Sequence, residues 1–498
     1  MDNINETIQP EQTQEELREL LQIRRDKLTA LQQAGRDPFR EIRFDRDSCA
    51  QDILDNFETL ENQTVRIAGR IMSKRDMGKA SFADLRDKSG KMQLYVKIDG
   101  LGEDAYQAFM KLDIGDIVGV EGTVFRTRRG EISVQVSRYT LLSKSLLPLP
   151  EKFHGLKDTD TRYRQRYVDL MINPEVRDTF IKRSRIVRII QREMDARGYL
   201  EVETPVLQNK PTNSAARPFK THHNTLDIDM YLRVETELAL KRLIVGGLEK
   251  VYEIGRLFRN EGMSTRHNPE FTTIELYEAY ADRAVMMEIA EHLFATIALE
   301  ICGGSMVTYQ GTELDFSAPF KRITMADCVK EHSGLDFMAL ATDEAAFEAV
   351  KAIGLEPTKG ATWGELMAYV FDERCEEHLV QPTFLLDYPI EISPLTKKTD
   401  YDPRLVERFE LFAYGREVAN AYTELNDPID QRERFVQQAQ IKNGEGQFEI
   451  DEDFVTAMEY GMPPTGGMGI GIDRMVMFFT DSASIRDVLL FPTMKPLD

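Results

Sequence analysis

The stretch FRNEGMSTRHNPEFTTIELY, Phe258 to Tyr277, read with GGMGIGIDR, Gly466 to Arg474, decides the fold. Arg256, Arg259, Glu261, Arg266, His267 and Phe271 crowd between two strand-like segments, VYEIG and FTTIELY. An arginine fork clamps a phosphate bidentately, an aromatic face stacks on a purine, and a glutamate accepts from an exocyclic amine. Together these residues describe a nucleotide site built on an antiparallel hairpin. Taken singly, each has a plainer role, such as an Arg paired with a surface Glu or a Phe in the core. The string as a whole carries the reading.

Commoner nucleotide scaffolds are missing. There is no GxxxxGK[ST] loop, and GGMGIGID lacks the strand-to-helix setting and acidic residue of a dinucleotide fingerprint. Phosphate handling therefore falls to side chains and metal.

Working outward, residues 177–498 mix helices and strands without a βαβ rhythm, which predicts an α+β domain around an antiparallel sheet flanked by helices. It opens on a helix from Arg177 with Phe180, Val187, Ile190 and Met194 on one stripe, closed by Gly198. Residues 324–378 read as a mainly helical insertion. Residues 151–176, with LLPLP just before them, read as a linker.

Ahead of it, residues 61–150 change to short alternating runs, TVRIAGRIMS, ASFADLRD, MQLYVKID, DIVGVEGTVFRT and ISVQVSRYTLL, with hairpin turns at KSGK and RRGE. Five such strands predict a small closed barrel, with the OB-fold as the nucleic-acid-binding solution. An SH3-like barrel would leave a similar pattern.

Residues 1–60 form a helical extension, with a helix over 13–34 opened by a Thr13/Glu16 capping box and closed by Gly35 and Pro38. Leu17, Leu20, Leu21, Leu28 and Leu31 share one face. Arg18, Arg24, Arg25 and Lys27 occupy the other, as a solvated surface or as an auxiliary RNA contact.

Charge and composition narrow the setting. The formal net charge of −21 opposes a polyanionic partner, yet residues 61–150 hold 15 Lys and Arg against 11 Asp and Glu, a local +4. No apolar run approaches the roughly 20 residues of a membrane span, and the first residues lack a secretory pattern. Cys49, Cys302, Cys328 and Cys375 are scattered without ligand-like spacing, which fits reduced thiols and predicts a cytoplasmic protein.

FRNEG and RHNPEF resemble motif 2 of the class II aminoacyl-tRNA synthetases. GYLEVETP, Gly198 to Pro205, resembles their motif 1, and GIGIDR, Gly469 to Arg474, their motif 3. The resemblance extends from about residue 13 to 496 and is strongest to the lysine-specific branch of subclass IIb. It implies ATP as substrate, with Arg259 at the α-phosphate, Glu261 and Phe271 at the adenine, His267 at the outer phosphates, Arg474 at the γ-phosphate, and Gly471 also in the ATP site. Arg259 and Arg474 would be catalytic. It also implies Mg²⁺ on Glu410, which would meet ATP as well, and Glu417. Seven residues apart on extended chain, these two glutamates need a bend or bulge to meet. Motif 1 implies a homodimer.

Within that branch, ELALKRL, TTIELYEAY and VANAYTELND place Glu237, Glu275, Tyr277, Asn420, Tyr422 and Glu424 around an L-lysine substrate, with Asn213 near its α-amino group. A cationic side chain needs carboxylate and hydroxyl partners, whereas an aspartyl pocket needs Arg or Lys. The barrel's Phe82, Gln93, Arg75 and Glu131 would read the anticodon of a lysine tRNA, the aromatic by stacking and the amide at a base edge. Two other readings stand beside this one: aspartyl or asparaginyl specificity, and an RNA-binding paralogue that does not aminoacylate.

The chain departs from the branch at three places. Thr212-Asn213-Ser214 replaces a usual Gly-Gly-Ala, Glu235 and Thr236 stand where small or apolar residues are usual, and Thr396 stands where Ala is common. All three concern the amino-acid pocket and leave the ATP motifs intact.

Overall fold

A computed structural model describes residues 14–150, 156, 158–210, 216–442 and 450–497. The chain divides into two compact units, Met1–Gly155 and Leu156–Asp498.

In the first unit, β1 (Thr64–Asp76), β2 (Ala80–Arg86), β3 (Lys91–Lys97), β4 (Ile117–Arg126) and β5 (Ile132–Ser143) close a barrel in the order β1-β2-β3-β5-β4. The parallel β3–β5 pairing that completes the circuit belongs to the OB-fold and excludes the SH3-like alternative. Period-two alternation fills the interior with Ala83, Leu85, Met92, Leu94 and Val96 and turns Phe82, Gln93 and Tyr95 outward. Phe82 is therefore not part of the barrel core.

The N-terminal helix runs from Gln14 to Gln33 and ends at Gly35, whose φ of 69° needs glycine. Thr13 lies outside the described residues. One expectation fails here, because Arg24 is buried. Its guanidinium donates to the carbonyls of Ser145, Leu147 and Ile114 at 2.9, 3.0 and 3.1 Å, while Lys27 pairs with Asp113 at 2.6 Å. These two cations dock the helix on the barrel; Arg24 is closed to solvent and RNA, while Lys27 stays partly exposed.

The second unit is built on an eight-stranded sheet in the order Lys321–Thr324, Thr383–Pro389, Leu405–Phe412, Glu417–Thr423, Thr465–Gly471, Glu270–Ala279, Lys250–Phe258, Leu200–Glu201. Its central strands are all antiparallel. The helices Pro174–Ala196, Arg283–Ile297 and Ile472–Phe479 cover one face through Ile190, Leu293 and Met475, which pack with Ile274, Leu276, Phe409, Ala421, Met468 and Ile470. Every alternate residue of those strands points to the opposite face, which is the face that carries the site.

Residues 324–378 form the helices Met325–Ser333, Asp343–Ala352 and Trp363–Arg374, with a core of their own around Val329, Trp363, Met367 and Phe371. The stretch read as a linker is, from Asp158 on, two short helices, Thr159–Arg164 and Arg166–Ile172. Arg166 and Asp169 are fully buried and paired, and Arg166 also donates to the Arg486 carbonyl at 2.8 Å, so this segment belongs to the second unit's packing.

Candidate functional site

Two register rows across the sheet assemble the site. In one, Glu275, Gly469, Asn420 and Glu410 lie side by side on four neighbouring strands. In the next, Tyr277, Gly467, Tyr422 and Arg408 do so. The glycines occupy the middle strand and leave the floor bare. A Cβ at Gly467 would run into Glu424 Oε1 and the Tyr277 ring, so the close approach of those side chains requires glycine there.

Above this floor lies a cavity of about 580 Å³ lined by Arg259, Glu261, His267, Phe271, Glu417, Gly471 and Arg474 at one end, and by Glu235, Glu237, Glu275, Tyr277, Asn420 and Tyr422 at the other. Sequence motifs far apart in the chain thus converge on one cleft. GGMGIGID does pass from strand Thr465–Gly471 into helix Ile472–Phe479, contrary to expectation. Its strand neighbours are antiparallel, however, so no βαβ unit forms and the dinucleotide reading stays excluded. Asp473 fixes that entry: it is buried, accepts from the Thr272 amide at 2.8 Å and pairs with Arg183 at 2.5 Å.

The first end is cationic and unsatisfied. The Arg259 guanidinium lies over the Phe271 ring at 5.2 Å, and its Nε is buried with no hydrogen-bond partner among the described residues. A buried charged donor without an acceptor calls for an anion. Arg474 donates to the Glu417 carbonyl at 2.6 Å and lies 3.4 Å from His267 Nε2, while His267 Nδ1 is 2.9 Å from Ser264 Oγ. Burial and the neighbouring Arg474 push the His267 pKa down, so the ring is neutral at pH 7. Glu261 is exposed and accepts from the Arg217 amide at 3.4 Å.

Glu410 and Glu417 meet through a hairpin turn over 413–416 and a bulge at Leu411/Phe412 that together reverse the chain between them. Glu417 is presented to the cavity. Glu410 sits further in, paired with Arg408 at 2.5 Å, and burial together with the Glu417 charge lifts it to about 7. Among the described residues no cluster of three or more His, Cys, Asp or Glu side chains could hold a metal by itself. Two oxygen-donor carboxylates completed by phosphate and water nevertheless fit Mg²⁺, which seldom takes an all-protein cage.

The other end is anionic. Lys241, fully buried, donates to Glu237 Oε1 at 2.5 Å and ion-pairs with Glu424, also fully buried. Although burial pushes the Lys241 ammonium down, the two carboxylates hold it above its ordinary value. Burial lifts Glu424 to about 8 and Glu275 to about 7. Arg408 donates to the Asn420 carbonyl oxygen at 3.2 Å and lies against the Tyr388 and Tyr422 rings, which fixes both Asn420 and Tyr422.

Lys241 and Arg408 went unread in the sequence. Glu237 and Lys241 have the i, i+4 spacing of an ordinary surface pair, and only the apolar Leu238, Ala239 and Leu240 between them hint at burial. Thr396 is buried, and its hydroxyl has no hydrogen-bond partner among the described residues. Thr212, Asn213 and Ser214 lie outside the described residues.

On the barrel, Arg75 pairs in register with Phe82, and Phe82 with Tyr95; Gln93 lies one row along, its carbonyl accepting from Ser133 Oγ at 2.9 Å. Tyr95 and Phe125, which the sequence did not single out, extend Phe82 into an aromatic strip with centroid separations of 4.9 and 5.6 Å. Glu131 is exposed at the turn before β5.

Comparison with known proteins agrees with this geometry. Residues 158–495 match the model of tRNA synthetases class II (D, K and N), and residues 65–142 match that of the OB-fold nucleic acid binding domain. The chain is similar to proteins named lysine--tRNA ligase from Thermoanaerobacter pseudethanolicus, with 58% identity covering 97% of each chain, and Clostridium perfringens, with 57% identity covering 99% of each. A third, from Pelotomaculum thermopropionicum, is 54% identical over 99% of this chain and 98% of the relative. The chain belongs to the class II tRNA synthetases, and within them to the lysine--tRNA ligase family.

Proposed function

We propose that the protein activates L-lysine with ATP to lysyl-adenylate and transfers the lysyl group to the 3′ end of a lysine tRNA. The observation that carries this is the polarity of one cleft: an anion-seeking guanidinium, Arg259, at one end and a nest of carboxylates around Tyr277 at the other. The names of the relatives agree with it. A pocket lined by Glu235, Glu237 and Glu275 repels an aspartate side chain and gives an asparagine side chain no charge to match, which disfavours the sister specificities.

In this reading the ammonium of the substrate's side chain lies against Glu237, Glu424 and the Tyr277 hydroxyl, while Asn420 and Tyr422 line its path. The substrate carboxylate oxygen attacks the α-phosphorus, the bond from that phosphorus to the bridging oxygen breaks, and pyrophosphate leaves. Arg259 neutralises charge building on the α-phosphate, Phe271 stacks on the adenine and Glu261 meets its amine. Neutral His267 and Arg474 hold the outer phosphates. Glu410 and Glu417 would hold Mg²⁺, which when bound supplies charge neutralisation at the phosphate oxygens. The tRNA's terminal hydroxyl then attacks the adenylate carbonyl and AMP leaves, with no covalent enzyme intermediate.

The barrel's Phe82 and Gln93, with Arg75 and Glu131, would bind the anticodon. Homodimerisation through motif 1 is supported by Leu200, Val206 and Leu207, exposed beside the sheet's edge strand. Among the described residues no helix is long and apolar enough to cross a membrane, and we place the protein in the cytoplasm. The test is lysine-dependent ATP–pyrophosphate exchange across a panel of amino acids. Exchange with lysine, lost in Arg259→Ala, is expected; exchange with aspartate or asparagine alone would overturn the assignment.

A further inference from the structure

The amino-acid end of the cleft holds more carboxyl groups than one side-chain ammonium requires. Glu235, Glu237, Glu275 and Glu424 converge there, and the cations beside them are Lys241 and Arg259. Lys241 is committed to Glu237 and Glu424. Arg259 is committed to the anionic groups of the reaction. A lysine side chain brings one further positive charge, and two of the four carboxyl groups are still left over.

Glu235 is the one that stands apart. The backbone around it is pinned on both sides: the Arg233 carbonyl accepts from the Phe258 amide at 3.0 Å, and the Thr236 carbonyl accepts from the Leu240 amide at 3.1 Å. This sets Glu235 into the cleft wall beside Arg259 rather than on the solvent side of the helix entry. Among the described residues it has no hydrogen-bond or ion-pair partner; its charged neighbours are Glu237, Glu275, Arg259 and Lys241. An amino acid's main chain carries an ammonium and a carboxylate on the same carbon. A carboxylate next to a guanidinium is the mirror of that arrangement.

We propose that Glu235 binds the α-ammonium of the substrate. The proposal rests on the lysine reading above and adds a contact to it, separating the two ammonium groups between Glu235 at the main-chain end and Glu237 with Glu424 at the side-chain end. Burial and the nearby Glu237 and Glu275 charges lift Glu235 to about 8, so without substrate the site is largely protonated near neutral pH, and an arriving ammonium takes the place of that proton.

The experiment compares the full-length protein with Glu235→Gln and Glu235→Ala, measuring KM for L-lysine and the inhibition constant of 6-aminohexanoate in the exchange assay. That inhibitor keeps the side-chain ammonium and the carboxylate and lacks the α-amino group. Both variants are expected to raise the lysine KM on the order of 10- to 100-fold and to leave 6-aminohexanoate and the KM for ATP within about twofold, as loss of one charge-assisted hydrogen bond predicts. An unchanged lysine KM overturns the proposal, and so does a parallel loss of lysine and 6-aminohexanoate. Glu235→Gln preserves shape, so it decides the matter if Glu235→Ala does not fold. Absence of lysine-dependent exchange in the unmodified protein would instead overturn the lysine reading on which the proposal rests.

Discussion

Lys241 Nζ lies 2.5 Å from Glu237 Oε1 while also pairing with Glu424, so one built-in ammonium serves two buried carboxylates. The arrangement is one positive charge short, and that shortage gives the pocket its affinity for a cation. It also ties Lys241 to the stability of the fold.

Lys241→Met should destabilise the protein by about 3–5 kcal/mol in urea denaturation at pH 8, since both carboxylates would be buried without a counter-ion. Lys241→Met/Glu424→Gln should recover most of that loss. A single variant as stable as the parent would show that the triad is not the buried charge cluster described here.

Gly467→Ala should abolish measurable lysine binding while ATP still protects the protein against thermal unfolding. The added methyl would displace Glu424 and Tyr277, and overpacking of this kind costs about 1–3 kcal/mol, most of it at the amino-acid end. At Gly471 a Cβ would meet only Arg474 carbons at 3.8 Å, so Gly471→Ala is the control and should keep its lysine KM. Equal lysine KM values in the two variants would contradict the bare-floor geometry.

These glycines show how far the sequence could be read. FTTIELY alternates visibly, and Ile274 and Leu276 do go to the core while Glu275 and Tyr277 go to the cleft. The pairing of Gly467 with Tyr277 and Tyr422 depends on strand register set by long-range contacts, which no local pattern records. The same limit hid Tyr95 and Phe125 behind Phe82. Arg24 and Lys241 were hidden for another reason: a cation buried by its partners has the same local text as one in solvent. Glu410 and Glu417 could be paired only by resemblance, because the hairpin that joins them lies in a short unremarkable AYGR turn.

Three raised carboxyls at the amino-acid end, Glu275 at about 7 and Glu235 and Glu424 at about 8, set a pH dependence. Their unfolded-state values lie near the ordinary 4.5. The folded protein therefore holds protons that the unfolded chain has released, and its stability without substrate should fall as pH rises from about 4.5 through 8. Lysine keeps both ammonium groups up to about pH 8 and binds the ionised carboxylates, so its KM should fall from pH 6 toward about 8 and rise again above as its α-ammonium loses its proton. Measurement of KM and melting temperature in the same buffers checks both signs, and a flat KM would refute the assignment of these groups to the pocket.

Phe82→Ala should separate tRNA recognition from amino-acid activation. The ring faces outward and stacks on Tyr95 at an interplanar angle of 27°, while the adjacent Ala83 and Leu85 fill the barrel, so its removal strips the outer strip without opening the core. Stacking of a base on an aromatic side chain is worth about 1–3 kcal/mol, which corresponds to a rise of roughly 5- to 150-fold in the KM for tRNA. Exchange measured without tRNA should be unchanged, because the whole nucleotide and amino-acid cleft is made by residues of the second unit. Tyr95→Ala should act in the same direction, since Tyr95 bridges Phe82 and Phe125 and carries Lys97 over its ring at 5.6 Å. If Phe82→Ala aminoacylated lysine tRNA with an unaltered KM, the barrel's aromatic face would not be its RNA-binding surface, whatever the fold of the unit that carries it.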